Sequence, residues 1–139
     1  MQPNIVLCDK IPDVPELLAL YQDAGWSAYT ARPEKLHLAC QQSLKVITAW
    51  SGMQLVGLAR AVGDGETILY VQDLLVHSSH RRNGIGRALL EMLLSEYPHV
   101  RQRVLLADRS EELAAFYHKV GFLSAEQAGT TAYVQLGRR

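Results

Sequence analysis

Arg81-Arg82-Asn83-Gly84-Ile85-Gly86-Arg87-Ala88-Leu89-Leu90 stands between an apolar run, residues 68–76, and an amphipathic one that sets Ile85, Leu89, Leu90, Leu93 and Leu94 at helical spacing. A strand that turns through two glycines into a helix, with arginines at the turn, offers backbone N–H groups at the positive end of a helix dipole to an anion. Gly84 and Gly86 lack Cβ atoms, so a phosphate can approach the backbone closely, and Arg81, Arg82 and Arg87 can place guanidinium charge on its oxygens. The stretch predicts a phosphorylated ligand held on an α/β frame.

Two familiar phosphate loops fit poorly. A P-loop needs Lys followed by Ser or Thr after its last glycine, where this chain has Arg87 and Ala88. A dinucleotide fingerprint could begin at Gly84 and Gly86 and end at Asp108, but the third glycine position is Leu89. The motif also follows three predicted strands, and too little chain remains beyond it for the rest of a dinucleotide-binding sheet.

Working outward, residues 44–50 and 54–62 are β-rich runs joined by Ser51-Gly52-Met53, a hairpin signal, and Gly63-Asp64-Gly65 turns the chain into a long strand over 67–76. Beyond the loop come a helix over 84–97 stopped by Pro98, a strand over 103–107, a helix over 110–119 and a last strand over 132–136. Upstream lie a short strand over 4–8 and a helix over 14–24, with Asp13 as N-cap, Pro15 in its first turn and Gly25 as its stop; a second helix begins near Pro33. Strand, phosphate-binding helix and strand make a βαβ crossover, so the strands near 70 and 105 should be parallel neighbours. The expectation is an α/β fold with a mixed sheet in one domain over residues 1–139.

Composition agrees with a single core: 48% of the 139 residues are hydrophobic. Fourteen basic residues balance fourteen acidic ones, so no global field favours nucleic acid or an anionic membrane. No run approaches the length of a membrane span and no leader pattern opens the chain, which predicts a cytoplasmic protein. Cys8 and Cys40 are far apart and read as small buried hydrophobes, and the five histidines show no ligand spacing, so no metal is expected.

Further on, Ala114-Ala115-Phe116-Tyr117-His118-Lys119-Val120-Gly121-Phe122 completes a pair of motifs. Together with Arg81-x-x-Gly84-x-Gly86 it resembles the GNAT family of acetyl-CoA-dependent N-acetyltransferases, with Q/R-x-x-G-x-G/A on the pyrophosphate loop and a later F/L-Y-x-x-x-G-F. The resemblance covers roughly residues 44–136 and fades over the first 40. The segments Asp73-Leu74-Leu75-Val76 and Leu106-Ala107-Asp108 look most like the arylalkylamine (serotonin-type) acetyltransferases of plants and cyanobacteria. The family's fold is a mostly antiparallel sheet whose central parallel pair splays around acyl-CoA. The resemblance implies acetyl-CoA as co-substrate, its pantetheine arm on the backbone of Leu74, Leu75 and Val76. Its pyrophosphate would lie on Arg81, Arg82, Asn83, Gly84, Ile85, Gly86 and Arg87. It also implies Tyr117 as general acid for the departing thiolate, against the plainer reading of a ring packed beside Phe116.

An amine acceptor is largely protonated at neutral pH, so a group must help remove a proton before attack. Asp73 interrupts an apolar run, where a carboxylate is costly unless paired or facing a cleft. Asp108 ends the neighbouring strand, although Asp108-x-x-Glu111 also reads as a capping box. Both stand as catalytic candidates. Trp26, Tyr29 and His37 fall where the family builds its acceptor pocket, and their rings suit an aryl or alkyl amine as well as an ordinary core. His77, His80 and His118 show no partner and should face solvent. The expected function is direct acetyl transfer to a small-molecule primary amine in a ternary complex, with a non-catalytic acyl-CoA sensor or interaction module as the alternative. Monomer and homodimer both remain open.

Overall fold

Residues 4–137 of the computed structural model are described. They form β1 (Ile5–Cys8), α1 (Val14–Asp23), α2 (Ser27–Thr30), α3 (Pro33–Gln41), β2 (Lys45–Ser51), β3 (Gln54–Gly63), β4 (Ile68–Val76), a 3₁₀ turn (Ser78–His80), α4 (Ile85–Ser95), β5 (Gln102–Leu105) and α5 (Glu111–Lys119). The strands lie in the order β1-β2-β3-β4-β5, antiparallel except for the parallel pair β4 and β5. The α/β mixed sheet and its parallel crossover are therefore as expected.

Backbone proximity divides the chain into two units, Met1–Leu105 and Leu106–Arg139. In the first, turn chemistry sets the strand register. Gly52 at φ +59° turns β2 into β3, with Ser51 opposite Gln54. The Asp64 carboxylate then accepts the N–H groups of Glu66, Thr67 and Ile68, which turns the chain into β4. α1 starts on a capping box, Asp13 Oδ1 taking the Glu16 N–H while Glu16 takes the Asp13 N–H, and ends at Gly25 with φ +76°. The one-turn α2 was not legible, because four residues carry no helical period.

Two apolar layers enclose the sheet. Leu17, Leu20 and Tyr21 of α1 and Leu36 and Cys40 of α3 pack with Val46, Trp50, Leu55, Leu58 and Leu75. Gly57, beside Leu58 on β3, faces the other way, towards α4, whose Ile85, Leu89, Leu90 and Leu93 are buried. A Cβ on Gly57 would lie 2.9 Å from Leu89 Cδ1 and 3.2 Å from Ile85 Cγ2. Gly57→Ala is therefore expected to destabilise by about 1 kcal/mol or more, because the new methyl forces buried Leu89 and Ile85 to shift within their layer. A urea titration checks this, and an unchanged midpoint would show that α4 can shift.

In the second unit, Ser110 caps α5 by accepting the Leu113 N–H at 3.2 Å. The box expected at Asp108 and Glu111 does not form: the helix begins two residues later than that reading needs. The expected strand over 132–136 is also absent, since residues 131–137 carry no strand and are exposed. Alternation supplies propensity, but a strand exists only where a partner is paired to it. No described helix is long and apolar enough to cross a membrane.

Candidate active site

β4 is paired unevenly along its length. Its parallel ladder with β5 runs from Ile68 opposite Gln102 to Val71 opposite Leu105 and stops there. From Gln72 to Val76 the described ladder pairs are with β3 alone, so one backbone edge of this segment is left for another partner. Register explains the change: Arg60 lies opposite Asp73 and Ala61 opposite Val71, which leaves Gln72 as the extra residue of a bulge. Leu74, Leu75 and Val76, expected to pair with pantetheine, lie on this open stretch.

The chain then enters the glycine loop. Arg82 has φ +65° and Gly84 φ +78°, the latter serving as N-cap of α4. A glycine cap has no side chain to satisfy the first amides of the helix, and no acidic residue occupies its first turn. By contrast α1 and α5 are capped by Asp13 and Ser110. The first turn of α4, holding Ile85, Gly86 and Arg87, thus keeps N–H groups for an anion, and Asn83 is braced by donating to the His80 carbonyl at 3.4 Å. The arginines are not equivalent. Arg81 donates Nε to the Val76 carbonyl at 3.1 Å, Arg87 pairs with Glu91 at 3.0 Å on the exposed helix face, and Arg82 is exposed.

Asp73 lies at the centre of a buried network. Arg60 Nε donates to its Oδ2 at 2.8 Å, the Tyr21 hydroxyl to the same oxygen at 2.9 Å, and the Tyr29 hydroxyl to Oδ1 at 3.0 Å. Asp73 and Arg60 are only 2% and 5% exposed, so the carboxylate is enclosed by donors. Burial and the Asp73 charge push the Tyr21 hydroxyl well above the ordinary phenol range and raise that of Tyr29, and burial pushes the Cys40 thiol up to about 11. Burial works against the Arg60 charge, but Asp73 outweighs it and holds the guanidinium protonated. The Arg60 head also reaches Ser43 at 3.3 Å.

Tyr29 links this network to the surface. Its half-buried hydroxyl accepts from the exposed Gln72 amide at 3.0 Å while donating to Asp73. Tyr21, Trp26 and Tyr29 form an aromatic cluster with centroid separations of 5.7, 5.3 and 6.1 Å. Arg60 and Tyr21 were missed from sequence, although a lone arginine inside the apolar run over 55–62 was the signal that Asp73 had a partner. His77, expected to face solvent unpartnered, instead sets Nε2 3.5 Å from the Asp23 carboxylate.

In the second unit, Tyr117 stands on α5, edge-on to Phe116 at 5.0 Å and Phe122 at 6.0 Å. Burial raises its phenol above the ordinary range, so it is protonated at neutral pH. Asp108 is exposed on the segment before α5.

Residues 15–136 match the family model of the acetyltransferase (GNAT) domain. An acetyltransferase of the GNAT family from Streptococcus pneumoniae is similar over 97% of this chain and 99% of its own, with 32% identity and a TM-score of 0.85. A probable acetyltransferase from Staphylococcus aureus shares the fold at 23% identity and a TM-score of 0.79, over 95% and 99% of the two chains. An uncharacterized N-acetyltransferase, ycf52, of Porphyra purpurea is 26% identical over 113 residues, 78% of this chain. The chain spans 63% of the length of that relative. With the open edge of β4 and the glycine loop already in place, these matches decide the family: the chain belongs to the GNAT acetyltransferases.

Proposed function

We propose that this protein transfers an acetyl group from acetyl-CoA directly to a small primary amine in a ternary complex. The observation that carries the reading is the open edge of β4 at residues 72–76 leading into a helix N-terminus that no side chain caps. The first suits the amide-rich pantetheine arm, the second its pyrophosphate. The amine nitrogen attacks the thioester carbonyl, the C–N bond forms and the C–S bond breaks, and the departing thiolate takes the phenolic proton of Tyr117, whose phenol is restored by the proton that the acetylated nitrogen sheds. Asp108, exposed on the segment before α5, receives the ammonium group and steers its proton to water. Asp73 acts as a positioning residue through Tyr29. Trp26 and Tyr29 offer an aromatic wall, which favours an arylalkylamine or another small amine with an apolar body.

Following CoA release across a panel of primary amines tests this, with amine-dependent thiol release expected. CoA binding without release for any amine would favour a non-catalytic sensor instead. Gly86→Val is expected to abolish measurable CoA binding in calorimetry, because side-chain bulk fills the space a pyrophosphate needs. Unchanged affinity in the folded variant would overturn the loop assignment.

A further inference from the structure

Asp23 ends α1 with a negative charge, where the helix dipole disfavours one. Gly25 already stops the helix, so α1 itself does not call for a carboxylate there. Its partners lie on the loop after β4. One oxygen accepts the Ser78 N–H at 2.7 Å and the other the Ser78 hydroxyl at 2.6 Å. The same carboxylate faces His77 Nε2 at 3.5 Å and the Arg81 guanidinium at 4.0 Å. Burial raises the Asp23 carboxyl, but the Ser78 hydrogen bonds and the nearby His77 and Arg81 outweigh it and hold it below the usual aspartate range.

The loop so gripped has a backbone that a free chain avoids. A non-glycine residue in the left-handed region, as Arg82 is at φ +65°, is strained by the close approach of its Cβ to the backbone. Such a residue persists where its surroundings over-determine it. Four ties do so here: the His77 N–H to the Val56 carbonyl at 2.7 Å, Arg81 Nε to the Val76 carbonyl, Asn83 to the His80 carbonyl, and Ser78 to Asp23. Of these four, the Asp23 tie is the one anchored on a helix.

We infer that Asp23 is a positioning residue for the acyl-CoA pyrophosphate: by gripping Ser78 it holds residues 78–84 in the shape that aims the first amides of α4 at phosphate before the ligand arrives. Preorganisation of this kind strengthens binding by removing the ordering cost from the binding step. The inference rests on the acetyl-CoA reading above. Because α1 runs on through Gly25 into Trp26, the same grip joins the coenzyme loop to the aromatic wall.

Calorimetry with CoA on the wild type, Asp23→Ala, Asp23→Asn, Ser78→Ala and the double variant Asp23→Ala/Ser78→Ala tests it. Asp23→Ala is expected to raise Kd about tenfold, near 1.4 kcal/mol. Asp23→Asn, which keeps a carbonyl oxygen for Ser78, should raise it less, and the double variant should be no worse than Asp23→Ala alone. A role confined to the stability of α1 gives the opposite order, since alanine is the better helix former and removes the unfavourable charge. Unchanged Kd in folded Asp23→Ala, or additive losses in the double variant, would overturn the inference. If Asp23→Ala does not fold, unchanged Kd in both Asp23→Asn and Ser78→Ala overturns it equally. A wild type that fails to bind CoA would overturn the acetyl-CoA reading as well, whereas equal binding by wild type and Asp23→Ala would overturn this inference alone.

Discussion

Tyr117→Phe is expected to lower turnover by about 10²–10⁴-fold, the usual range for a lost general acid, with CoA affinity nearly unchanged. The substitution removes one oxygen and keeps the ring that packs edge-on against Phe116 and Phe122. Burial raises the Tyr117 phenol, so the protonated form that can donate persists through neutral pH and is lost only above the ordinary value near 10. The wild-type rate should therefore rise with pH as the amine loses its proton, and fall only on the far alkaline side. Residual activity of the variant should lack that alkaline fall. Steady-state rates at saturating amine across the pH range read both effects, and wild-type turnover in the variant would make Tyr117 a packing residue.

Asp73→Asn is expected to destabilise the fold by about 3–5 kcal/mol, because it leaves Arg60 buried without its counter-charge. Asparagine keeps a single acceptor oxygen, and Tyr21 and Tyr29 donate to different oxygens of Asp73, so the loss reports on the guanidinium together with one tyrosine hydroxyl. Arg60→Met should cost a similar amount from the other side, stranding the carboxylate. The double variant Arg60→Met/Asp73→Leu should lose less than the sum of the two, since no uncompensated charge remains. Urea midpoints at unchanged m-value measure all three. An Asp73→Asn midpoint within experimental error of wild type would mean that water reaches Arg60 and that the network is not closed.

These expectations for Asp73 differ from those that its position in an apolar strand suggested. The sequence marked the residue as costly to bury and left a paired and a cleft-facing role open. Its partners are supplied by α1, by α2 and by β3, 52, 44 and 13 residues away, and no spacing rule links positions so far apart. Asp23 escaped notice for the same reason, since its grip on Ser78 spans 55 residues.

What the sequence determined by itself is the set of features that depend on near neighbours. The Asp13 capping box, the Gly52 turn, the strand, glycine loop and helix over 68–95 and the spacing of Tyr117 from Gly121 and Phe122 are each written within a dozen residues or by simple periodicity. From these follow the parallel crossover, the mixed sheet and the family. The tertiary structure alone decided what depends on pairing across the chain: that β4 loses β5 after Val71, that Gln72 is a bulge, that Asp73 is closed in by Arg60 and two tyrosines, and that residues 131–137 carry no strand. Propensity and period act between neighbours along the chain, whereas ladder partners, buried charges and edges are set by which distant segments come together when the core closes.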